Sequence, residues 1–119
     1  MSSGRPLEGI KVVELTTYLA APTCGRILGE WGADVIKIES VNGDPWRFYG
    51  ASLGTPTTPD ENPVFDFCNA NKKNLALDIK DPKGMEILHK LLSEADIFLT
   101  NNRVKALKKS GLDYDTLKE

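Results

Sequence analysis

Two short runs of β-branched and aliphatic residues, separated by a helical stretch, set narrow limits on what this chain can fold into. The first is Ile10-Lys11-Val12-Val13-Glu14-Leu15, bounded by Gly9 and by Thr16-Thr17. The second is Val35-Ile36-Lys37-Ile38, inside the segment Ala33 to Glu39. Both are too short for helices and too apolar for surface loops, so each reads as a buried strand. Between them Tyr18-Leu19-Ala20-Ala21-Pro22 is a turn of mostly small residues, with Pro22 suited to a first helical position, where a missing N–H is harmless. Cys24, Ile27, Leu28 and Trp31 follow at helical spacing, and Gly32 closes the helix in a left-handed conformation. Strand, helix and strand within about thirty residues make a βαβ unit. Its strands are expected to be parallel and its crossover right-handed.

The rest of the chain extends this pattern. Ser40 to Asn62 is rich in Gly, Pro, Thr and Asp, lacks periodicity and reads as a long loop of the kind that usually serves function. Asn74 to Ile79 is a further predicted strand. Asp81-Pro82 supplies an N-cap and first helical position. Met85, Leu88, Leu91, Leu92 and Ala95 form the apolar face of the helix that follows; His89 on the same helix has no partner motif and is assigned no role. Ile97-Phe98-Leu99-Thr100 is another buried strand, and a basic segment runs on to Lys109. Asp113 reads as an N-cap between Leu112 and Leu117, the spacing of a hydrophobic staple. A helix begins there and the sequence stops at Glu119. One turn of helix has no independent stability, so the chain reads as truncated at this end.

The 119 residues suffice for one domain, and the 40% hydrophobic content excludes a disordered chain. A net charge of −2 gives a whole-chain nucleic-acid role no electrostatic support. The opening Met-Ser-Ser-Gly-Arg-Pro lacks the apolar core of a signal peptide, and no apolar run approaches a membrane span. The expected compartment is the cytoplasm, with no membrane partner. Cys24 and Cys68 have no metal-ligand spacing and read as small buried hydrophobes. Charge is uneven: Phe67 to Lys109 holds nine Lys or Arg against five acids. That tract is either a solvated helical surface or a local site for a small polyanion.

In open α/β sheets, ligands bind beyond the carboxyl ends of strands, beside helix N-termini. Three segments meet that description. Thr17 to Pro22 follows the first strand, and its Ala20-Ala21 pair lets backbone amides come close to a ligand; a tight, well-packed turn is the plainer reading. Leu77-Asp78-Ile79-Lys80 follows another strand and places a cation at a helix entry. Asn101-Asn102-Arg103 follows the last strand and supplies amide donors and a guanidinium suited to phosphate. Neither a G-x-G-x-x-G fingerprint nor a G-x-x-x-x-G-K-[ST] loop is present, so dinucleotide binding and P-loop hydrolysis lose their usual signals.

Several stretches, in order, resemble the N-terminal domain of the family III (CaiB/BaiF-type) coenzyme A transferases. They are Pro6 to Leu15; Ala20-Ala21-Pro22 with Gly32-Ala33-Asp34-Val35-Ile36-Lys37-Ile38-Glu39; Asn69-Ala70-Asn71-Lys72-Lys73 with Leu77-Asp78-Ile79-Lys80; and Glu94 to Asn101 running to Gly111-Leu112-Asp113-Tyr114. Asn101 to Leu107 and the Gly43-Asp44-Pro45 loop are most similar to the branch acting on 2-hydroxyacyl-CoAs in amino-acid fermentation, the phenyllactate and 2-hydroxyisocaproate CoA transferases. The formyl-CoA branch has glutamine where this chain has Leu19 and arginine where it has Ser40, which argues against oxalate. The resemblance implies an α/β, Rossmann-like parallel sheet, the first half of a large domain that forms an interlocked dimer at full length. Residues 1–119 would be a partial CoA-binding domain. Implied CoA contacts are Leu19, Ala20, Leu77, Asp78, Ile79, Lys80, Asn101, Asn102, Arg103 and Lys109. Implied substrates are an acyl-CoA and a carboxylic acid, with no permanently bound cofactor and no metal. The family's aspartate nucleophile lies in a later glycine-rich segment, so no catalytic residue is assigned here and the chain alone is expected to be inactive. Racemases of 2-methylacyl-CoAs share the fold and these motifs, and an inactive fragment is a third reading.

Overall fold

The computed structural model describes residues 4–119. Its centre is one four-stranded sheet, built from β1 (Lys11–Leu15), β2 (Asp34–Glu39), β3 (Lys72–Ala76) and β4 (Ile97–Thr100), in the order β3-β2-β1-β4. Every pairing is parallel, with Val12 opposite both Val35 and Ile97. The expected α/β class, with its parallel β1–β2 pair, is what the chain adopts. β1 lies inside the sheet with β2 on one side and β4 on the other. The order of winding therefore reverses at the β1/β4 boundary, since the chain runs outward from β1 through β2 to β3 and then returns to place β4 on the other side of β1. Such a boundary is the crevice where open α/β sheets place ligands.

Side-chain alternation divides the two faces of the sheet. Val13, Leu15 and Ile38 point to one face and pack against Leu88 of α4 (Pro82–Ser93) and against Leu112. Val12, Glu14 and Thr16 share the other face with Val35, Lys37 and Glu39, all of them buried. Their side is covered by α1 (Ala20–Glu30), on which α3 (Pro63–Asn69) packs. This face is apolar only toward its amino end, where Val12, Ala33 and Val35 cluster with Leu28. Toward the carboxyl end it is charged.

That charge explains where α1 departs from its predicted face. Only glycine leaves room beside the Glu14 carboxylate and the Lys72 stem, and the buried residues of α1 are Pro22, Gly25 and Gly29. Cys24 is consequently exposed rather than buried, as are Ile27 and Trp31; Cys68 is buried as expected. The helix also starts at Ala20, two residues ahead of Pro22. Proline is tolerated at this third position because first-turn amides have no helical acceptor.

β3 begins before the predicted Asn74 because its two leading lysines are neutralised, Lys72 by Glu14 and Lys73 by Asp34. It ends before Ile79 because Asp78 folds the chain into a turn, accepting Lys80 N–H at its side chain (3.0 Å) and Asp81 N–H at its carbonyl (3.1 Å). The predicted long loop holds a one-turn helix, α2 (Trp46–Tyr49), and a 3₁₀ turn at Gly50–Leu53. α3 follows with Asn62 as its cap, accepting Phe65 N–H. The Asp81 cap is in place, its carboxylate accepting Lys83 N–H. The basic segment is helix α5 (Val104–Ser110), ended by Gly111 at φ 69°. α6 (Tyr114–Leu117) starts after Asp113, with Leu112 and Leu117 in one apolar cluster as the staple requires. No helix among the described residues is long and apolar enough to cross a membrane.

Candidate functional site

A cleft of about 480 Å³ opens at the carboxyl ends of β1, β2 and β3. Thr16 and Thr17 form one wall, Asn42 to Pro45 another, and Leu77, Ile79 and Lys80 a third, with Asn102 at the β4 side. The structure thus brings Leu77, Ile79, Lys80 and Asn102 of the predicted set to one opening. Leu19, the cap of α1, and Ala20, its first residue, are exposed directly after the Thr16-Thr17 wall without lining it. Asp78 is spent on its own turn. Asn101 does not reach into the cleft: its Oδ1 accepts Thr17 N–H (3.1 Å) and its Nδ2 donates to Thr17 C=O (2.9 Å). Its amide clasps the end of β4 to the end of β1. Arg103 is the exposed cap residue of α5. Lys109 is exposed near the far end of that helix, roughly 9 Å further along its axis at ~1.5 Å per residue.

Behind the cleft lies a buried ionic network that the sequence pattern did not single out. Lys37 is wholly buried and stands opposite Glu14 in the sheet register. Its ammonium is 3.1 Å from Asp44 Oδ2 and 3.8 Å from Glu14 Oε2, and it donates to the Thr16 carbonyl and hydroxyl, both at 3.2 Å. Lys72 enters from β3 and donates to both Glu14 oxygens (2.8 and 2.7 Å), to Pro22 C=O (2.7 Å) and to Asn69 Oδ1 (2.9 Å). Loss of water dominates this pair: burial pushes the Glu14 carboxyl above its ordinary value against the pull of Lys72 and Lys37. Burial likewise depresses the Lys72 ammonium against Glu14.

At the loop side Glu39 accepts the Nε–H and an Nη2–H of Arg47, each at 2.7 Å, and the Asp44 N–H at 2.9 Å. Burial raises this carboxyl, but the Arg47 and Asp44 bonds together with the Arg47 and Lys37 charges outweigh it and hold the group below its ordinary value. Arg47 also covers the Phe65 ring, 3.7 Å from its centroid. Asp44 Oδ1 accepts the amides of Tyr18 (3.1 Å) and Trp46 (2.9 Å). Its Oδ2 receives no aligned N–H or O–H; Lys37 serves it as a charge. The available signal in the sequence was a charge inside each buried strand, Glu14 and Lys37, since charges there must be paired.

A family model for "CoA-transferase family III" matches residues 7–119. The chain belongs to this family. Among curated members it is 55% identical, over 95% of its length, to (R)-2-hydroxy-4-methylpentanoate CoA-transferase of Clostridioides difficile, covering 28% of that protein. It is also 55% identical to cinnamoyl-CoA:phenyllactate CoA-transferase of Clostridium sporogenes, covering 27% of it. The crystal structure of a CAIB/BAIF family protein from Brucella suis aligns over 97% of this chain and 30% of its own, with TM-score 0.87 and 39% identity. The chain thus spans under a third of the length of these family members.

Proposed function

We propose that this chain forms part of the coenzyme A site of an enzyme that transfers CoA between an acyl-CoA, of the 2-hydroxyacyl or arylacyl class, and a carboxylic acid. The observation that carries the reading is the cleft at the parallel strands' carboxyl ends, flanked by Lys80 and Asn102, in a chain of this family. The acyl class rests on the two relatives at 55% identity. In this reading Leu19 and Ala20 offer backbone contacts, Leu77, Ile79, Lys80 and Asn102 line the bound carrier, Asp78 shapes the turn that presents them, and Arg103 and Lys109 meet its phosphates. Asn101 acts through Thr17, holding the two strand ends together. The whole enzyme would be a cytoplasmic homodimer whose nucleophile lies outside these residues.

The test is calorimetric titration with CoA. Lys80→Ala and Arg103→Ala are each expected to weaken binding by about 1–3 kcal/mol, the range for a charge-assisted hydrogen bond. Unchanged affinity in both variants removes these residues from the site.

A further inference from the structure

Tyr18 lies in the left-handed region, at φ 66°. Asn71 shares that region, but asparagine enters it readily, whereas a bulky aromatic residue does so only when its surroundings impose it. Three side chains from three parts of the fold impose it here. Lys37, from β2, donates to the Thr16 carbonyl. Asn101, after β4, takes both the N–H and the C=O of Thr17. Asp44, from the loop after β2, accepts the Tyr18 N–H. Each of the three consecutive residues leading from β1 toward α1 is therefore gripped at its backbone. Asp44 is itself fixed: it is 2% exposed, its N–H is bound by Glu39, its Oδ2 faces Lys37, and its Oδ1 also holds Trp46 N–H. A turn required only to reverse the chain needs far fewer restraints. This one adjoins the cleft wall and sets the start of α1, whose first amides lack helical acceptors.

We propose that Asp44 is a positioning residue of the CoA site: backed by Lys37, it holds Tyr18 left-handed so that the head of α1 is fixed beside the cleft. The proposal rests on the CoA reading above and adds to it a residue that need not touch the ligand.

The test joins site-resolved amide hydrogen exchange to CoA titration on the whole chain. In the unsubstituted protein the Tyr18 amide should exchange slowly and CoA should bind. Asp44→Ala should free the Tyr18 amide, leave Val13 and Ile36 protected, and weaken CoA binding at least tenfold. In a Tyr18→Gly background the left-handed conformation is accessible without help, so the same Asp44→Ala change should weaken binding by threefold or less. Should Asp44→Ala unfold the protein, seen as lost protection at Val13 and Ile36, Asp44→Asn replaces it. That variant gives up the charge facing Lys37, at a cost in stability, but keeps the Oδ1 acceptor; with Val13 and Ile36 still protected it should keep both the slow Tyr18 amide and the affinity within threefold. Unaltered affinity in Asp44→Ala, equal losses in the two backgrounds, a fast Tyr18 amide in a CoA-binding unsubstituted protein, or a tenfold loss in Asp44→Asn each overturns the positioning role alone. An unsubstituted protein with a slow Tyr18 amide and no CoA binding overturns the CoA reading, and the role of Asp44 falls with it.

Discussion

Lys37 and Glu39 sit two positions apart on β2 and point to the same face, yet their energetic settings differ. Lys37 has no exposed surface, and its partners Asp44 and Glu14 are equally buried. Removing one member of a buried ion pair strands the other's charge, typically at about 3–5 kcal/mol. Lys37→Met is expected to lose about that much stability in urea denaturation; a loss below about 1 kcal/mol would mean that water reaches Asp44. Glu39 faces the half-buried Arg47, so solvent screens part of the pair. Its folded carboxyl titrates below its ordinary value of 4.5, to which unfolding returns it. The stability it contributes is therefore complete above that value and lost as pH falls through the lower folded one. Glu14 is shifted the other way, so its ionisation erodes stability at pH values above 4.5. Comparison with Glu39→Gln isolates the first effect. The melting temperatures of parent and variant should differ at pH 7 and converge below pH 4.5, with the parent the more stable at neutrality.

At the scale of elements, closeness of backbones governs the tolerance to change. A methyl group on Gly84 of α4 would collide with the Asp78 carbonyl, and one on Gly25 of α1 with the Glu14 carboxylate. Gly84→Ala meets backbone, which cannot swing aside. It is expected to destabilise by about 1–3 kcal/mol, read as a shift in the urea midpoint. The same contacts show why some elements were legible in the sequence and others were not. β1, β2, β4 and α4 combine apolar character with length and punctuation, and each formed where the pattern placed it to within one or two residues, although β4, expected to be buried, is a partly exposed edge strand because no strand covers its outer side among the described residues. α1 misled because its buried stripe is Pro22, Gly25 and Gly29, residues with no hydrophobic signal, facing a charged patch instead of a core. α2 and α3 were hidden because they are one or two turns long and are fixed by bonds from distant residues, such as Trp46 Nε1 to Val64 C=O and Asn62 Nδ2 to Arg47 C=O. The candidate site was half legible. Strand ends name the cleft through Lys80 and Asn102, but periodicity does not show that Asn101 is turned onto Thr17 or that Asp44 is buried.

The whole molecule carries a second opening, an apolar groove of about 650 Å³ beyond β4, bounded by Leu92, Phe98, Leu107, Leu112, Tyr114 and Leu117. Apolar dyes are expected to fluoresce on the native chain there, and Leu117→Lys to reduce that signal; an undiminished signal would place the dye elsewhere. Catalysis by these 119 residues alone is not expected. Around the cleft Glu39 is held by Arg47, Asp44 by two amides and Lys37, and Asp78 and Asp81 by backbone amides. Incubation with a 2-hydroxyacyl-CoA and a labelled carboxylate should give no exchange and no thioester adduct by mass spectrometry. An adduct at Glu39 or Asp78 would overturn this. The Asn101 clasp on Thr17 also joins positions 84 apart along the chain. Closing so long a loop is slow compared with forming the local β1-α1-β2 unit. In a refolding time course helical signal should therefore recover before the mouth of the cleft exists. On a ribosome, a nascent chain would carry β1 through synthesis of the 84 residues that separate Thr17 from Asn101 before the partner that completes the opening emerges.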